Sequence, residues 1–142
     1  MPPEKVPIGI RRVVAARAGG YCEYCRCLER FATESFTLEH ITPRSLGGGN
    51  TLENLAWSCF GCNSFKHTKT QGTDLETGET VALYNPRQQV WEEHFSWSED
   101  GREVMGKTAC GRVTVAALRV NREGLMNLRG VLAKVGLHPP NC

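Results

Sequence analysis

Leu38-Glu39-His40-Ile41-Thr42-Pro43-Arg44-Ser45-Leu46-Gly47-Gly48, followed by Asn54-Leu55 and Ser58-Cys59-Phe60-Gly61-Cys62-Asn63-Ser64-Phe65-Lys66-His67, governs the architecture expected of the chain. Residues 36–40 alternate apolar and polar side chains, the mark of a brief strand. The following loop carries Pro43, Gly47, Gly48 and Gly49 and can be neither helix nor strand throughout. Leu55 to Ser58 reads as a second strand pairing back on the first. Asn54 stands where its amide can tie the loop to the backbone, a structural role. After Cys62 a short helix is expected, with Asn63 and His67 at i and i+4 on one face. A carboxylate beside a histidine, with an asparagine and a histidine across from them, are residue types that could hold a divalent cation against a phosphate and deprotonate a water. Glu39 and His40 are neighbours, however, and neighbours on an ideal strand point to opposite faces.

Seven cysteines accompany this stretch, four of them in two Cys-x-x-Cys pairs, Cys22/Cys25 and Cys59/Cys62. An odd count with paired spacing fits a metal better than a disulfide framework. Four thiolates make a closed tetrahedral zinc site, the structural rather than the catalytic kind. Two redox dithiols, or unrelated buried thiols, are the other readings of the same spacing. Cys27, Cys110 and Cys142 are left over and read as small buried or free thiols.

These residues resemble the HNH endonuclease family. Its first signature, an Asp-His or Glu-His pair, corresponds to Glu39 and His40. Its middle asparagine corresponds to Asn54, and its last signature to Cys59, Cys62 and Asn63, with His67 one helical turn on. The resemblance implies an α+β fold with a ββα-metal core over residues 8–72, stabilised by zinc on Cys22, Cys25, Cys59 and Cys62. It implies His40 as the general base, and Glu39, Asn63 and His67 as ligands of a catalytic magnesium or manganese ion. It further implies that β-strand fraying or twisting brings Glu39 and His40 to one site. Arg44, Lys66 and Lys69 are candidate phosphate contacts. Glu39, in place of the aspartate many members carry, is a longer arm.

The rest of the chain reads as one domain, 1–142, with an extension from 73 to 142 packed on the core; 142 residues suffice for one core and are short for two. Ile10, Val13, Val14 and Ala18 recur at helical spacing and stop at Gly19-Gly20, a C-cap. Residues 68–78 read as a polar surface connection, and 81–84 as a strand stopped by Asn85-Pro86. Ser98-Glu99-Asp100-Gly101 marks the turn of a small hairpin. Two helices follow, 111–120 and 121–135, with Asn121 as N-cap of the second. His94, among Trp91, Phe95 and Trp97, reads as a hydrogen-bonded core histidine. The segment 83–118 is also similar to an extension of some bacterial HNH proteins.

The net charge of +2, from 17 Lys and Arg against 15 Asp and Glu, is too small to prove a nucleic-acid partner. Arg11, Arg12, Arg17, Arg44, Lys66 and Lys69 could still form a basic face, and Arg112, Arg119, Arg122 and Arg129 a phosphate-binding stripe; solvated surfaces share both patterns. No run is long or apolar enough for a membrane span, and residues 1–5 lack the pattern of a secretory signal, so a cytoplasmic location is expected. The function expected is a metal-dependent endonuclease acting on DNA. The alternatives are a zinc-stabilised DNA-binding or adapter module without catalysis, and a dithiol redox protein.

Overall fold

The computed structural model describes residues 6–140; the leader expectation for residues 1–5 and the thiol of Cys142 lie outside them. The fold is mixed α and β, with three two-stranded antiparallel sheets. Helix α1 (Ile8–Arg17) ends at Gly19, whose φ of 65° is the left-handed conformation a C-terminal glycine supplies cheaply. Val14 and Ala18 are buried, while Val13 is exposed. Arg11 and Arg17 of this helix donate to the backbone carbonyls of Phe36 and Leu55, and Arg11 lies 5.1 Å over the Trp57 ring. The basic face expected around the first knuckle is therefore partly spent on holding α1 to the sheet.

Strand β1 (Thr37–His40) pairs with β2 (Leu55–Ser58), from Thr37 opposite Ser58 to His40 opposite Leu55. Helix α2 (Phe60–Lys66) follows directly, with the Cys59 sulfur accepting the Cys62 N–H at its N-terminus. Next comes a hairpin that was not expected from the sequence. Strand β3 (Gln71–Thr73), inside the presumed polar connection, pairs with β4 (Thr80–Ala82). A single turn of helix, α3 (Trp91–His94), leads into β5 (Phe95–Trp97), which pairs with β6 (Val104–Gly106) as the Ser98–Gly101 turn signal predicts.

Helix α4 (Ala109–Leu118) starts two residues earlier than expected because Thr108 caps it, accepting the Gly111 N–H at 3.1 Å. Helix α5 (Glu123–Lys134) is not capped by Asn121. That side chain instead bonds both backbone groups of Val104, at 2.8 and 3.0 Å, joining the end of α4 to β6.

The buried cluster runs without interruption from Val14, Phe36, Leu55 and Trp57 to Leu83, Tyr84, Trp91, Phe95, Val113 and Leu118. The link between its halves is Tyr24, between the first two cysteines. Trp91 Nε1 donates to the Tyr24 carbonyl at 2.9 Å, and the Tyr84 ring stands edge-on to the Tyr24 ring at 6.4 Å. Arg87 adds an ion pair to buried Glu23. His94 is hydrogen-bonded to Thr108 Oγ1 at 2.7 Å, in keeping with its structural reading. His138 packs edge-on against Trp97 at 4.4 Å and contacts the Gly101 carbonyl at 2.7 Å.

The arginines of the expected phosphate stripe are engaged separately. Arg112 forms a two-pronged pair with buried Asp74, Arg119 stacks on Phe65, and buried Arg129 donates to the Val120 and Arg102 carbonyls. The Arg112 guanidinium holds the Asp74 carboxyl well below the usual carboxylate range. A carboxylate depressed in the folded state contributes stability above its unfolded pKa, about 4, and loses it as pH falls through the folded value. Asp74→Asn is therefore expected to lower Tm at neutral pH and to flatten the decline of Tm below about pH 4. Thermal scans across that range check it, and an unchanged acid limb would contradict it.

Candidate active site and metal centre

The four sulfurs of Cys22, Cys25, Cys59 and Cys62 lie within 4.8 Å of one another, all buried, with Cys25 and Cys59 3.7 Å apart. Zinc–sulfur bonds of about 2.3 Å in a tetrahedron put sulfurs about 3.8 Å apart, so the donor set fits zinc. The cluster joins the turn after α1 to the start of α2. A tetrathiolate zinc centre is doubly anionic, and one cation stands beside it. Arg122, between α4 and α5, places its guanidinium 3.6 Å from the Cys59 sulfur and 3.9 Å from that of Cys62. It also donates to the Leu118 carbonyl at 2.9 Å. A Cβ on Gly61 would fall 2.7 Å from this guanidinium, so glycine there leaves room for Arg122 to lie against the knuckle. Arg122 was read from the sequence as a phosphate-stripe residue; its place against the second knuckle is set by the tight turn between the two helices.

The second constellation lies along β1, and the strand stays regular through His40. Glu39 and His40 consequently face opposite ways, without the fraying that the family resemblance implies. Glu39 turns inward and is 2% exposed. Its Oε2 accepts the Tyr24 hydroxyl at 2.5 Å, and its Oε1 pairs with Lys66 Nζ at 2.5 Å. Burial, reinforced by the Glu39 charge, pushes the Tyr24 phenol well above its ordinary pKa. Lys66, a candidate phosphate contact, is equally buried and donates also to the Ile41 and His40 carbonyls, at 3.0 and 3.3 Å. The ammonium is thus enclosed by oxygens and does not reach the surface.

An ion pair buried on both sides makes a sharp stability prediction. Lys66→Met should destabilise the fold by ~3–5 kcal/mol, because it leaves the Glu39 carboxylate buried and unpaired. Adding Glu39→Gln to the same chain should recover part of that loss. Urea melts of the single and double variants check this. Equal stability of Lys66→Met and the parent would show that the pair is not formed.

His40 is half-buried and faces the loop between the strands. Its Nε2 lies 2.7 Å from Asn50 Oδ1 and 3.2 Å from Arg44 Nε, while Arg44 Nη2 donates to the same Asn50 oxygen at 3.0 Å. Nδ1 has no hydrogen-bond partner among the described residues. Asn54 ties the loop as expected: its Oδ1 accepts the Thr42 N–H at 2.8 Å and its Nδ2 donates to the Thr42 and Gly49 carbonyls at 3.0 Å. Gly48 makes that closure possible, since a Cβ there would fall 1.7 Å from the Thr42 oxygen.

The two candidates on α2 are joined by the His67 N–H, which donates to the Asn63 carbonyl at 2.9 Å at the helix end. Asn63 is half-buried on the helix, whereas His67 is exposed just beyond it, its φ of 47° and ψ of −117° turning the chain away. Lys69 is exposed and reaches the Ala117 carbonyl. Among the described residues, the four cysteines are the one group of three or more His, Cys, Asp or Glu side chains placed to share an ion. Asn50 is the site residue that sequence reasoning missed. Its position in a Gly-rich loop carries no periodic signal, and only the folded loop sets it against His40.

Residues 22–69 match the family model described as HNH endonuclease. The matched segment contains both knuckles, the β1–β2 hairpin and α2. The match points to a nuclease-type hydrolase, with DNA as the implied substrate. No curated protein and no solved structure matches the chain. None of the described helices is long and apolar enough to cross a membrane.

Proposed function

We propose that the protein is an endonuclease that hydrolyses phosphodiester bonds in DNA, with His40 as the general base and a structural zinc on Cys22, Cys25, Cys59 and Cys62. The observation that supports it most is the imidazole at the end of β1, engaged at Nε2 and without a described partner at Nδ1. In this reading, hairpin, loop and α2 form a ββα-metal unit. Neutral His40 accepts a proton from a water, which attacks the phosphorus in line with the leaving 3′ oxygen. Arg44, whose Nε lies 3.2 Å from the imidazole, brings a guanidinium to where a phosphate would sit. Lys69, exposed just after α2, is the other phosphate candidate that keeps access to solvent. Asn54 acts at one remove, by fixing the loop that carries these groups.

A catalytic magnesium or manganese ion, when bound, supplies charge neutralisation at the phosphate. The residues expected to hold it do not make a ligand set as they stand. Both Glu39 oxygens are engaged, Asn63 offers a single neutral amide, and His67 lies past the helix end. Magnesium takes an octahedral shell of oxygens, usually through one or two carboxylates. The engaged Glu39 is also the observation that favours a second reading, a zinc-stabilised DNA-binding module without catalysis.

Supercoiled plasmid incubated with the purified protein over a titration of divalent metals tests the proposal. Conversion to nicked or linear DNA is the expected result. Tight binding with intact plasmid under every metal would favour the binding module.

A further inference from the structure

We infer that the cavity beside the end of β1 is a subsite for one nucleobase of the bound DNA, adenine by preference, read by the side-chain amide of Gln88. The inference rests on the nuclease reading proposed above. The cavity measures about 440 Å³, within the ~300–1,000 Å³ of ordinary ligand pockets. Ile41, Thr42 and Lys66 line it from the matched segment, and Asn85, Gln88 and Gln89 line it from the extension. Lys66 joins this lining to the candidate base, since its ammonium donates to the carbonyls of His40 and Ile41 at 3.3 and 3.0 Å. Asn54 holds both backbone groups of Thr42, so the lining that follows His40 is fixed in place.

The lining decides the class of ligand. Its one charged side chain is Lys66, which is buried and paired with Glu39, so neither an anion nor a cation meets a free counter-charge there. What remains is neutral hydrogen-bonding capacity. Gln89 is engaged, its Oε1 accepting the Asn85 N–H at 2.8 Å and its Nε2 lying 3.3 Å from His94 Nε2. Asn85 accepts the Arg87 N–H at 2.9 Å through Oδ1, which leaves its Nδ2 without a partner among the described residues. Gln88 is exposed, and its amide has no hydrogen-bond partner among the described residues. A free amide sets a donor beside an acceptor, the pattern that matches adenine N6 and N7 in a two-point contact. A concave site takes a base turned out of the stack rather than a stacked pair. The extension thereby acquires a role, choosing where the matched segment cuts.

The test is cleavage of randomised DNA, offered as duplex and as single strands, by the zinc-loaded full chain in magnesium or manganese, with the cut ends sequenced. The parent should favour adenine at one fixed position from the cut by roughly 5- to 150-fold over the other bases, the scale of one two-point base contact. Gln88→Ala should lose that preference. Gln88→Glu carries acceptors only and should move the preference toward cytosine, whose N4 is a donor. A residue with a merely structural role would not redirect the choice. Cutting by the parent with no base preference, or a preference that both variants leave in place, would overturn the inference while the nuclease reading stands. If the parent cuts nothing, the DNA it retains is sequenced instead. Adenine enrichment that Gln88→Ala abolishes would then keep the subsite and overturn the nuclease reading alone, whereas unbiased or absent retention would overturn both.

Discussion

Stripping the four-cysteine cluster of its metal is expected to unfold the protein. Structural zinc in small domains contributes ~10–16 kcal/mol of apparent binding free energy, comparable to or above the whole stability of an ordinary domain, ~5–15 kcal/mol. The cluster is the joint between two distant stretches, the turn at Cys22–Cys25 and the entry to α2 at Cys59–Cys62. Packing beyond the matched segment depends on that joint too. Tyr24, enclosed within the first knuckle, accepts the Trp91 indole and packs against Tyr84, and Arg122 lies directly against the Cys59 and Cys62 sulfurs. Loss of the ion should therefore loosen the C-terminal elements along with the hairpin. The purified chain is expected to carry about one zinc, read by elemental analysis, and to lose its circular dichroism transition on strong chelation. Cys59→Ser should fail in the same way. A metal-free protein with an unchanged Tm would remove the zinc from the account.

Much of this architecture was legible in the chain, and the parts that were not share a physical reason. Alternation at Phe36–His40 and the Cys-x-x-Cys pairs announce the hairpin and the knuckles because each is a local pattern. The helix α4 is equally visible in Val113, Ala116 and Ala117, although Val120 of the same pattern falls past its end at Leu118. Strand β3 was hidden because Gln71, Gly72 and Thr73 have neither alternation nor β-branched enrichment; pairing with β4 makes them a strand. Asn121 carries the composition of a cap but is drawn to the Val104 backbone, a tertiary partner no local rule anticipates. The arginine periodicity at 112, 119, 122 and 129 was real, yet periodicity does not say what the face meets. Here it meets a carboxylate, an aromatic ring, thiols and buried carbonyls.

The candidate site shows the same division. Asn54 was readable as a loop tie because its role is local, and its three hydrogen bonds agree. The roles expected of Glu39 and Lys66 were not readable, since 27 residues separate them and only the fold reveals that each satisfies the other. A buried ammonium and carboxylate that neutralise one another are ordinary structural chemistry. They leave His40 as the titratable group of this constellation that still faces the loop.

His40→Ala is expected to abolish most cleavage while leaving the fold intact. The imidazole is only half-buried, is not one of the four thiolate ligands, and among the described residues hydrogen-bonds through its ring to Asn50 and Arg44. Zinc content and Tm should therefore stay near those of the parent, and DNA affinity should change little. Removing a general base lowers the rate by about 10²- to 10⁴-fold, and the loss should appear in kcat because the proton is transferred only in the transition state. Asn63→Ala, at the residue after Cys62, and His67→Ala, just beyond the end of α2, provide the comparison in which any metal dependence should appear. The most direct measurement is the single-turnover rate of plasmid cleavage by the parent and by His40→Ala across a magnesium and manganese titration. The account predicts rapid cutting by the parent and a ~10²-fold or greater deficit in His40→Ala at every metal concentration; equal rates for the two proteins would contradict it.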